Sequence, residues 1–264
     1  MSLSGSSNTV RTALVTGASA GLGAEFARQL AALGNQLVLV ARRKDRLTVL
    51  AEELSETYGV QAHVLAADLQ DPQAPAQLLE QLRRLNLSID TLINNAGSAG
   101  PDLLHDRDWP EHRAYIELMM TSAAALTHLL VPGMVERGHG QVLNVASVAG
   151  RLMRANDTTY GPAKAYLIAL SEALASSLQG TGVQVMALCP GFTRTEFHSE
   201  PHMHALRDAI PAWLWYDTKT VVSEGLRAMA RGRVVYNSGR LYRLIDPFTQ
   251  SVFTRFLFRK IRRS

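Results

Sequence analysis

The chain has 264 residues, 47% hydrophobic and 19% charged, which is typical of a globular protein with one large α/β domain. Five of its 27 basic residues lie in the last ten positions, which leaves 22 basic against 23 acidic residues in the body. A near-neutral body argues against nucleic acid as a partner. A single cysteine, Cys189, excludes a disulfide framework and fits a reducing cytosol, so we expect a cytoplasmic protein.

The polar, serine-rich residues 1–10 lack the pattern of a signal peptide, and we expect them to form a disordered leader. No run of eighteen apolar residues predicts a membrane span. From residue 12 onward, short apolar runs alternate with amphipathic stretches. The runs predict strands at Thr12–Val15, Gln36–Val40, Ala62–Leu65, Thr91–Ile93, Gln141–Val145 and Val183–Leu188. The amphipathic stretches predict helices at Leu22–Leu33, Lys44–Tyr58, Pro72–Leu85, about His112–Glu136, and Thr159–Gln179.

Repeated strand–helix order predicts an α/β fold, a doubly wound parallel sheet of the Rossmann type with about seven strands and helices on both faces. Ligands of such sheets bind beyond the carboxyl ends of the strands. No internal repeat or linker divides the body, so we expect one domain over residues 11–240, followed by a basic amphipathic tail over residues 241–264.

The first strand leads into the glycine-rich turn Thr16–Gly23, which reads T-G-x-x-x-G-x-G. Glycines allow the backbone to approach a pyrophosphate closely, and the following helix offers its N-terminal N–H groups and positive dipole. A turn placed between a first strand and a first helix therefore predicts dinucleotide binding. The residues that we expect to bind are Gly17, Ser19, Gly21, Leu22 and Gly23.

The second strand ends at Ala41, Arg42 and Arg43, where NAD-binding proteins commonly carry a carboxylate for the ribose 2′-hydroxyl. Arginine matches the oxygens of a phosphate, so this position favours NADP(H) over NAD(H), mainly through Arg42. The alternative is that both arginines are solvated residues at the start of a helix.

Tyr160 and Lys164 are four residues apart on a predicted helix and so share one face. A lysine ammonium beside a tyrosine lowers the phenol pKa from about 10, which lets the phenol exchange a proton with a substrate oxygen. Ser147 follows the fifth strand, thirteen residues before Tyr160, and its hydroxyl could hydrogen-bond the same oxygen. We expect these three residues to be catalytic, although a loop serine is usually a simple turn residue.

The ordered set of motifs resembles the short-chain dehydrogenase/reductase family, in its single-domain branch of general oxidoreductases and ketoreductases. The resemblance runs from Val10 to about Tyr236. Its motifs are the glycine-rich turn, Asp68-Leu69, Asn94-Asn95-Ala96-Gly97, Ser147, the Tyr160–Lys164 pair and the stretch from Pro190 to Thr195.

The resemblance implies that Asp68 accepts from the adenine amino group beside Leu69, and that Asn95, Ala96 and Gly97 wall the adenosine ribose. Lys164 would reach the nicotinamide ribose. Pro190, Gly191, Thr193 and Thr195 would hold the nicotinamide carboxamide. Each position also has a structural alternative: a helix cap for Asp68 or the threonines, and a strand-end hydrogen bond for Asn94. The resemblance also implies a homodimer or homotetramer.

One residue departs from the family pattern. The family commonly carries an asparagine on the long helix before the fifth strand, where it holds a relay water near the lysine, and Met119 takes that position here. A methionine has no amide to hold a water. Either the relay is rearranged, through Thr121 or Ser122, or turnover is impaired.

The segment that covers the substrate in this family corresponds to residues 196–218. With Leu152, Met153 and Phe192, its apolar residues, Trp213 among them, could form a pocket for a lipophilic ketone, aldehyde or alcohol. Trp213 and Trp215 could equally pack a core or subunit contact. Its histidines, His198, His202 and His204, lack the pattern of a metal site, so we expect no metal. The tail could lie on an anionic bilayer surface or dock on the body or a partner subunit.

The predicted function is that of an NADP-dependent oxidoreductase that interconverts a carbonyl and a secondary alcohol. The alternative is a dinucleotide-binding sensor or scaffold with little turnover, which Met119 and the cationic tail favour. A sugar-nucleotide epimerase of the extended branch is disfavoured, because the glycine spacing differs and little chain remains for a second domain.

Overall fold

A computed structural model describes residues 10–152, 157–196 and 210–251. Most of the predicted leader, Met153, the histidines of the substrate-covering segment and the last thirteen residues of the tail therefore lie outside the described residues. Within the described residues, seven strands form one parallel sheet in the order β3-β2-β1-β4-β5-β6-β7. They are β1 Thr12–Thr16, β2 Gln36–Ala41, β3 Ala62–Ala66, β4 Thr91–Asn94, β5 Gly140–Val145, β6 Val183–Cys189 and β7 Val235–Asn237. The predicted fold class is confirmed.

The described helices lie on both faces of this sheet, and most follow the predicted bounds closely. They are α1 Gly21–Ala32, α2 Lys44–Tyr58, α3 Ala74–Arg84, α4 Trp109–Ile116, α5 Ser122–Arg137, α6 Tyr160–Ser177, α7 Thr218–Ala230 and α8 Arg240–Gln250. A π-helical turn, Glu117–Thr121, joins α4 to α5, and short 3₁₀ turns span Val148–Gly150 and Ala212–Leu214.

The strands alternate their side chains between two hydrophobic layers, as the twofold repeat of a strand requires. In β1, Ala13 and Val15 face the layer under α1, α2 and α7, whereas Leu14 faces the layer under α3 and α5. Every residue of β1 is buried, so this strand lies at the centre of the domain. The carboxyl end of β1 is therefore a fixed platform for the turn that follows.

Three parts of the chain differ from the sequence prediction. Helix α3 begins at Ala74 rather than at Pro72, because Asp71 accepts from the Gln73 N–H and holds a turn there. Strand β7 and helix α7 were not predicted individually. The signal for α7 was present: Asp217 caps the helix by accepting from the Thr220 N–H, and buried apolar residues recur at helical spacing from Val221.

Among the described residues, one helix is long and apolar enough to cross a membrane by length and composition. It is the continuous helix Trp109–Arg137, whose most apolar window has a mean hydropathy of 1.5. Its Leu126, Leu130 and Met134 are buried in the layer beneath the sheet. The core of the domain therefore covers one face of this helix.

Candidate active site

The crevice for a ligand opens between β1 and β4, where the strand order of the sheet reverses direction. Asn95 ties the two loops at this point together, because its side-chain amide donates to the Thr16 carbonyl at 2.9 Å. The backbone N–H groups of Asn95 and Ala96 donate to the Thr16 hydroxyl at 2.9 and 3.0 Å. The glycine-rich turn after β1 and the loop after β4 thus form one wall of the crevice.

The glycine-rich turn has room only for glycine at two positions. Gly17 adopts a φ of +66°, and a Cβ on Gly23 would lie 2.2 Å from the Gly17 carbonyl oxygen. Residue Ala20 precedes α1 and provides no side-chain cap, and no acidic residue lies in the first helical turn. The N-terminal N–H groups and the positive end of α1 therefore suit an anionic group, and the cradle fits the pyrophosphate of a dinucleotide.

Four predicted cofactor residues lie at the other end of the crevice, beyond β2 and β3. The Arg42 guanidinium is 65% exposed, and its nearest acidic group in the described chain is Asp68, at 3.9 Å. Arg43 instead donates from Nε and Nη2 to the Ser19 hydroxyl at 3.1 and 3.0 Å. The Asp68 carboxylate also accepts from the Gln70 N–H at 3.0 Å, but α3 begins only at Ala74, so Asp68 caps a turn and not the helix that the alternative named. Leu69 is buried, which leaves its backbone as the part that can face the crevice.

Sequence reasoning missed an acidic residue beside these arginines. Glu196 accepts from Arg43 at 3.1 Å and from Arg46 at 2.7 Å, although it lies about 150 positions away in the chain. Hydrogen bonds from Arg46 and Arg43 hold the pKa of the Glu196 carboxyl below its usual range. Only the folded chain brings these residues together, so no local pattern could have revealed the pair.

The stretch after β6 returns over the glycine-rich turn. The Thr195 methyl group would lie 3.2 Å from a Cβ on Gly21, and Thr193 is buried with its hydroxyl donating to the Gly191 carbonyl at 3.0 Å. The Pro190 carbonyl accepts from the N–H of the residue after Ser147 at 3.0 Å. This stretch therefore joins the cofactor end of the crevice to its chemical end.

Ser147 is buried two residues beyond β5, where it caps the 3₁₀ turn Val148–Gly150. Its Oγ accepts from the Ala149 N–H at 3.1 Å, which fixes one lone pair and leaves the hydroxyl proton to be donated elsewhere. Gly150 allows this turn to lie against α6, since a Cβ there would be 2.6 Å from the Lys164 carbonyl carbon. Ser147 can therefore be a turn residue and still donate a hydrogen bond to a substrate oxygen.

Tyr160 is the first residue of α6, and Lys164 lies one turn later with its Nζ 5.7 Å from the centre of the Tyr160 ring. Lys164 Nζ donates to the Val145 carbonyl at 2.8 Å. Burial lowers the pKa of Lys164 to about 8. The start of α6 is held by Asp157, whose carboxylate accepts from the Gly161 N–H at 2.8 Å.

Met119 occupies the centre of the π-helical turn and is only 1% exposed. A Cβ on Gly97 would be 3.1 Å from the Met119 sulfur and 3.7 Å from Lys164 Nζ, so the thioether lies beside the same glycine as the ammonium. Ser122 donates its hydroxyl to the Leu118 carbonyl at 2.8 Å, and Thr121 is exposed. Within the described residues, neither of these two predicted substitutes replaces the missing amide.

Apolar side chains pack around Tyr160 at the chemical end. Tyr115 and Met119 are buried here with Ala163, and burial raises the pKa of the Tyr115 phenol above its usual range. Sequence reasoning missed Tyr115, although it precedes Met119 by one helical turn. The groups that could exchange protons with a substrate are therefore set in a largely apolar wall.

The predicted substrate pocket is partly rearranged. Leu152 is half-buried, and Phe192 packs on Trp215 with ring centres 5.4 Å apart. Trp213, which we expected in the pocket, is 70% exposed on the outer 3₁₀ turn. The tryptophan that contacts Phe192 is instead Trp215, whose indole Nε1 also donates to the Ile210 carbonyl at 3.3 Å.

Helix α8, the beginning of the predicted tail, packs on this side of the site. Asp246 accepts from Arg151 Nε and Nη2, the latter at 2.7 Å, and both side chains are less than 20% exposed. The bond to Asp246 raises the pKa of Arg151 above its usual range. Tyr242 accepts from the Phe192 N–H at 3.4 Å. The described part of the tail therefore docks on the body, which is one of the two alternatives considered for the tail.

A phosphate cradle at the reversal point of the sheet and a tyrosine–lysine pair beyond the neighbouring strands together define a Rossmann-type oxidoreductase that uses a nicotinamide dinucleotide. Comparison with known sequences gives the family: residues 11–204 match the family model described as short chain dehydrogenase. The chain belongs to the short-chain dehydrogenase/reductase family.

Relatives of several kinds resemble the chain. A protein named sulfoacetaldehyde reductase 2 from Chromohalobacter salexigens is 37% identical over 186 residues, which cover 70% of this chain and 73% of that protein. A short-chain dehydrogenase from Sphingobium yanoikuyae, solved in complex with NADPH, is 30% identical with a TM-score of 0.80 and 97% coverage of both chains. A bulky-bulky ketone specific alcohol dehydrogenase from Comamonas testosteroni is 29% identical with a TM-score of 0.77, also covering 97% of both chains.

Proposed function

We propose that this protein is an NADP(H)-dependent oxidoreductase that interconverts a carbonyl group and a secondary alcohol on a lipophilic small molecule. One observation carries the proposal: Lys164 lies one turn from Tyr160, with its ammonium 5.7 Å from the ring centre, beyond the strands that border the dinucleotide crevice. The relatives named as reductases and alcohol dehydrogenases support the same type of reaction. When bound, the reduced nicotinamide supplies a hydride to the carbonyl carbon.

In this proposal Tyr160 gives its phenolic proton to the carbonyl oxygen during reduction and takes it back during oxidation. The Lys164 ammonium favours the phenolate that remains, because a positive charge close to the ring stabilises negative charge on it. Ser147 donates a hydrogen bond from its hydroxyl to the same substrate oxygen. The Ala149 N–H orients this hydroxyl by donating to its Oγ.

The remaining predicted residues would hold the cofactor. The cradle formed by Gly17, Ser19, Gly21, Leu22 and Gly23 would bind the pyrophosphate, and Arg42 the 2′-phosphate. Asp68 would accept from the adenine, beside the backbone of Leu69. Asn95, Ala96 and Gly97 would border the ribose, and Pro190, Gly191, Thr193 and Thr195 the carboxamide. The exposed guanidinium of Arg42 and the NADPH complex of the Sphingobium relative support NADP(H) rather than NAD(H).

The apolar wall supports a lipophilic substrate. Leu152, Phe192 and Trp215 border the chemical end, and Tyr115 and Met119 close the side next to Tyr160. The relative specific for bulky ketones fits such a wall, whereas a sulfonated aldehyde would need a cationic group close to the reacting carbon. The substrate class can be tested by measuring steady-state NADPH oxidation with aryl and alicyclic ketones, and with sulfoacetaldehyde as the charged comparison. Turnover confined to the charged aldehyde would contradict it.

The second candidate function is a dinucleotide-binding sensor with little turnover. The observation that favours it is Met119, which places a thioether rather than an amide beside Gly97 and Lys164. Tight NADPH binding with no oxidation on the ketone panel would support the sensor. In that case Met119→Asn should raise turnover at unchanged NADPH affinity, whereas an active enzyme should already turn over with Met119 in place.

We also propose that the chain forms a homodimer or homotetramer. Apolar residues on the outer side of the long helix support this: Trp109 is 56% exposed and Ile116 is 38% exposed. Sedimentation equilibrium measures the mass directly. Ile116→Glu should lower it, and a monomeric wild-type protein would contradict the proposal.

A further inference from the structure

Glu196 lies where three separate segments of the crevice meet. Its stretch follows β6 and returns over the glycine-rich turn, where the Thr195 methyl group would be 3.2 Å from a Cβ on Gly21. Its carboxylate accepts from Arg43 at 3.1 Å and from Arg46 at 2.7 and 2.9 Å. These two arginines lie at the start of α2. Glu196 is therefore bonded to the segment that follows β2, at the end of the crevice assigned to the 2′-phosphate.

The Arg43 guanidinium links Glu196 to the glycine-rich turn. Its Nε and Nη2 donate to the Ser19 hydroxyl and its Nη1 donates to Glu196, so all three nitrogens have acceptors. Ser19 accepts both bonds with its lone pairs, which leaves its hydroxyl proton to be donated to an anion. Arg42, the residue proposed to bind the 2′-phosphate, precedes Arg43 in the chain. The donors for an anionic group at this end of the crevice are therefore Ser19, Arg42, Arg43 and Arg46.

The bonds of Glu196 to its two arginines are open to competition. Hydrogen bonds from Arg46 and Arg43 hold the pKa of the Glu196 carboxyl below its usual range, so the carboxylate is charged at neutral pH. The side chain of Glu196 is 56% exposed, and those of Arg43 and Arg46 are 42% and 45% exposed. Exposed ion pairs of this kind hold weakly. A phosphate monoester carries up to about two negative charges and accepts from arginine in the same forked manner, so it is the stronger acceptor.

We propose that Glu196 is a specificity-determining residue of the cofactor site, which competes with the 2′-phosphate of NADP(H) for the guanidiniums of Arg43 and Arg46. Binding of the phosphate separates the carboxylate from these arginines, and the negative charge of Glu196 lowers the affinity for NADP(H). NAD(H) has a hydroxyl in place of this phosphate, so its affinity depends much less on Glu196. The inference rests on the proposed function, because it takes NADP(H) as the cofactor.

The rival role for Glu196 is a clamp, in which its ion pairs fasten the stretch after β6 over a bound cofactor. Other bonds already hold this stretch. The Arg194 N–H donates to the Tyr216 carbonyl at 3.0 Å, and the Tyr216 N–H donates to the Phe192 carbonyl at 2.9 Å. A clamp made of exposed side chains therefore adds little to the position of the backbone. It would also strengthen the binding of NADPH and NADH alike, which distinguishes it from a competitor of the 2′-phosphate.

The test measures the Kd of NADPH and of NADH by fluorescence titration in wild type and Glu196→Gln. Glutamine removes the charge and keeps a carbonyl oxygen that can accept from arginine. We expect the Kd of NADPH to fall about five- to tenfold and that of NADH to change less than about twofold. The gain should shrink at high salt, because the repulsion is screened. An unchanged ratio of the two Kd values, or equal weakening of both cofactors, would overturn the proposal.

Two controls separate the position of the charge from its sign and from the nicotinamide. Glu53→Gln removes an equal charge from an exposed arginine pair on the same helix, since Glu53 accepts from Arg28 at 2.6 Å, and it should leave both Kd values unchanged. A gain as large as that of Glu196→Gln would mean that net charge sets the affinity and that the proposal is wrong. In a second comparison, Glu196→Gln should strengthen the binding of 2′,5′-ADP and leave that of 5′-AMP unchanged.

Failure of this inference can be told from failure of the proposed function. Oxidation of NADPH by wild type on the ketone panel tests the reaction, and the wild-type preference between the cofactors tests Arg42. The role of Glu196 depends on neither result, because it is read from the change in the ratio of Kd values that Glu196→Gln causes. A protein that binds NADPH without turnover should still show this change. A wild-type protein that binds neither cofactor would contradict both proposals.

Discussion

The ammonium of Lys164 donates to the carbonyl of Val145 at 2.8 Å, which ties helix α6 to the last residue of strand β5. This bond holds the Lys164 ammonium 5.7 Å from the centre of the Tyr160 ring and beside Gly97. Lys164 is only 5% exposed, so burying its ammonium costs the folded domain free energy. A cost of this kind is typical of a functional group rather than of a structural one.

The first prediction concerns the pH dependence of stability. Burial lowers the pKa of Lys164 from 10.5 to about 8, so between these values the unfolded chain binds more protons than the folded chain. The wild-type free energy of unfolding should therefore rise with pH in that window, relative to Lys164→Met, by up to about 3 kcal/mol. Urea unfolding at pH 7, 8, 9 and 10 measures the difference. The free energy of unfolding of Lys219→Met, at an exposed site, should change with pH as that of wild type does. A difference between wild type and Lys164→Met that does not change with pH would contradict burial of the charge.

The second prediction concerns proton transfer. Tyr160→Phe removes the phenolic proton and should lower kcat by roughly 10²- to 10⁴-fold, while NADPH affinity stays within about threefold. Stopped-flow NADPH oxidation and fluorescence titration measure the two quantities. Tyr166→Phe on the same helix is the control and should keep wild-type turnover. Substantial turnover in Tyr160→Phe would remove Tyr160 from the proposed mechanism.

The third prediction concerns cofactor choice. Arg42 is 65% exposed at the end of β2, where it can reach a 2′-phosphate. Arg42→Gln should raise KM for NADPH at least about tenfold, because charge-assisted hydrogen bonds to phosphate are lost, and should leave KM for NADH nearly unchanged. Arg84→Gln removes an equal charge from the remote surface of α3 as a control. A wild-type preference for NADH would make the assignment wrong.

The fourth prediction concerns the cradle. Gly23→Ala places a Cβ 2.2 Å from the Gly17 carbonyl oxygen and 2.6 Å from the Asn95 amide, so both loops of the crevice must move. We expect loss of NADPH binding and a destabilisation of about 2 kcal/mol or more. Gly133→Ala is the matched helical control, because its Cβ would meet only the end of the flexible Arg137 side chain. That variant should be neutral or up to about 1 kcal/mol more stable by urea unfolding.

The fifth prediction concerns the ion pair that anchors helix α8. Asp246→Asn leaves Arg151 half-buried without its carboxylate and should lower the free energy of unfolding by about 1–3 kcal/mol. Glu80→Gln breaks the exposed pair of Glu80 with Arg84 and should cost less than about 0.5 kcal/mol. Chemical unfolding of both variants gives the comparison. Equal effects would mean that the α8 pair behaves as an ordinary surface pair.

The sequence predicted the sheet and the order of its motifs well. The strand Gln36–Ala41 is almost entirely an apolar run, and the helix Lys44–Tyr58 repeats its apolar residues every three or four positions. Both elements can therefore be recognised from a few neighbouring residues. The glycine-rich turn and the pair of Tyr160 and Lys164 are likewise local patterns. The repeated strand–helix order then limits the topology to a parallel sheet with its ligand crevice beyond the strand ends.

Tertiary structure alone decided which distant residues meet. Glu196 pairs with Arg43, Arg151 pairs with Asp246, and Trp215 rather than Trp213 packs on Phe192. No repeat or characteristic spacing in the sequence identifies these pairs of residues. These contacts depend on how the segments that follow β2, β5, β6 and β7 pack together, and side-chain packing and charge pairing in the folded chain fix that arrangement.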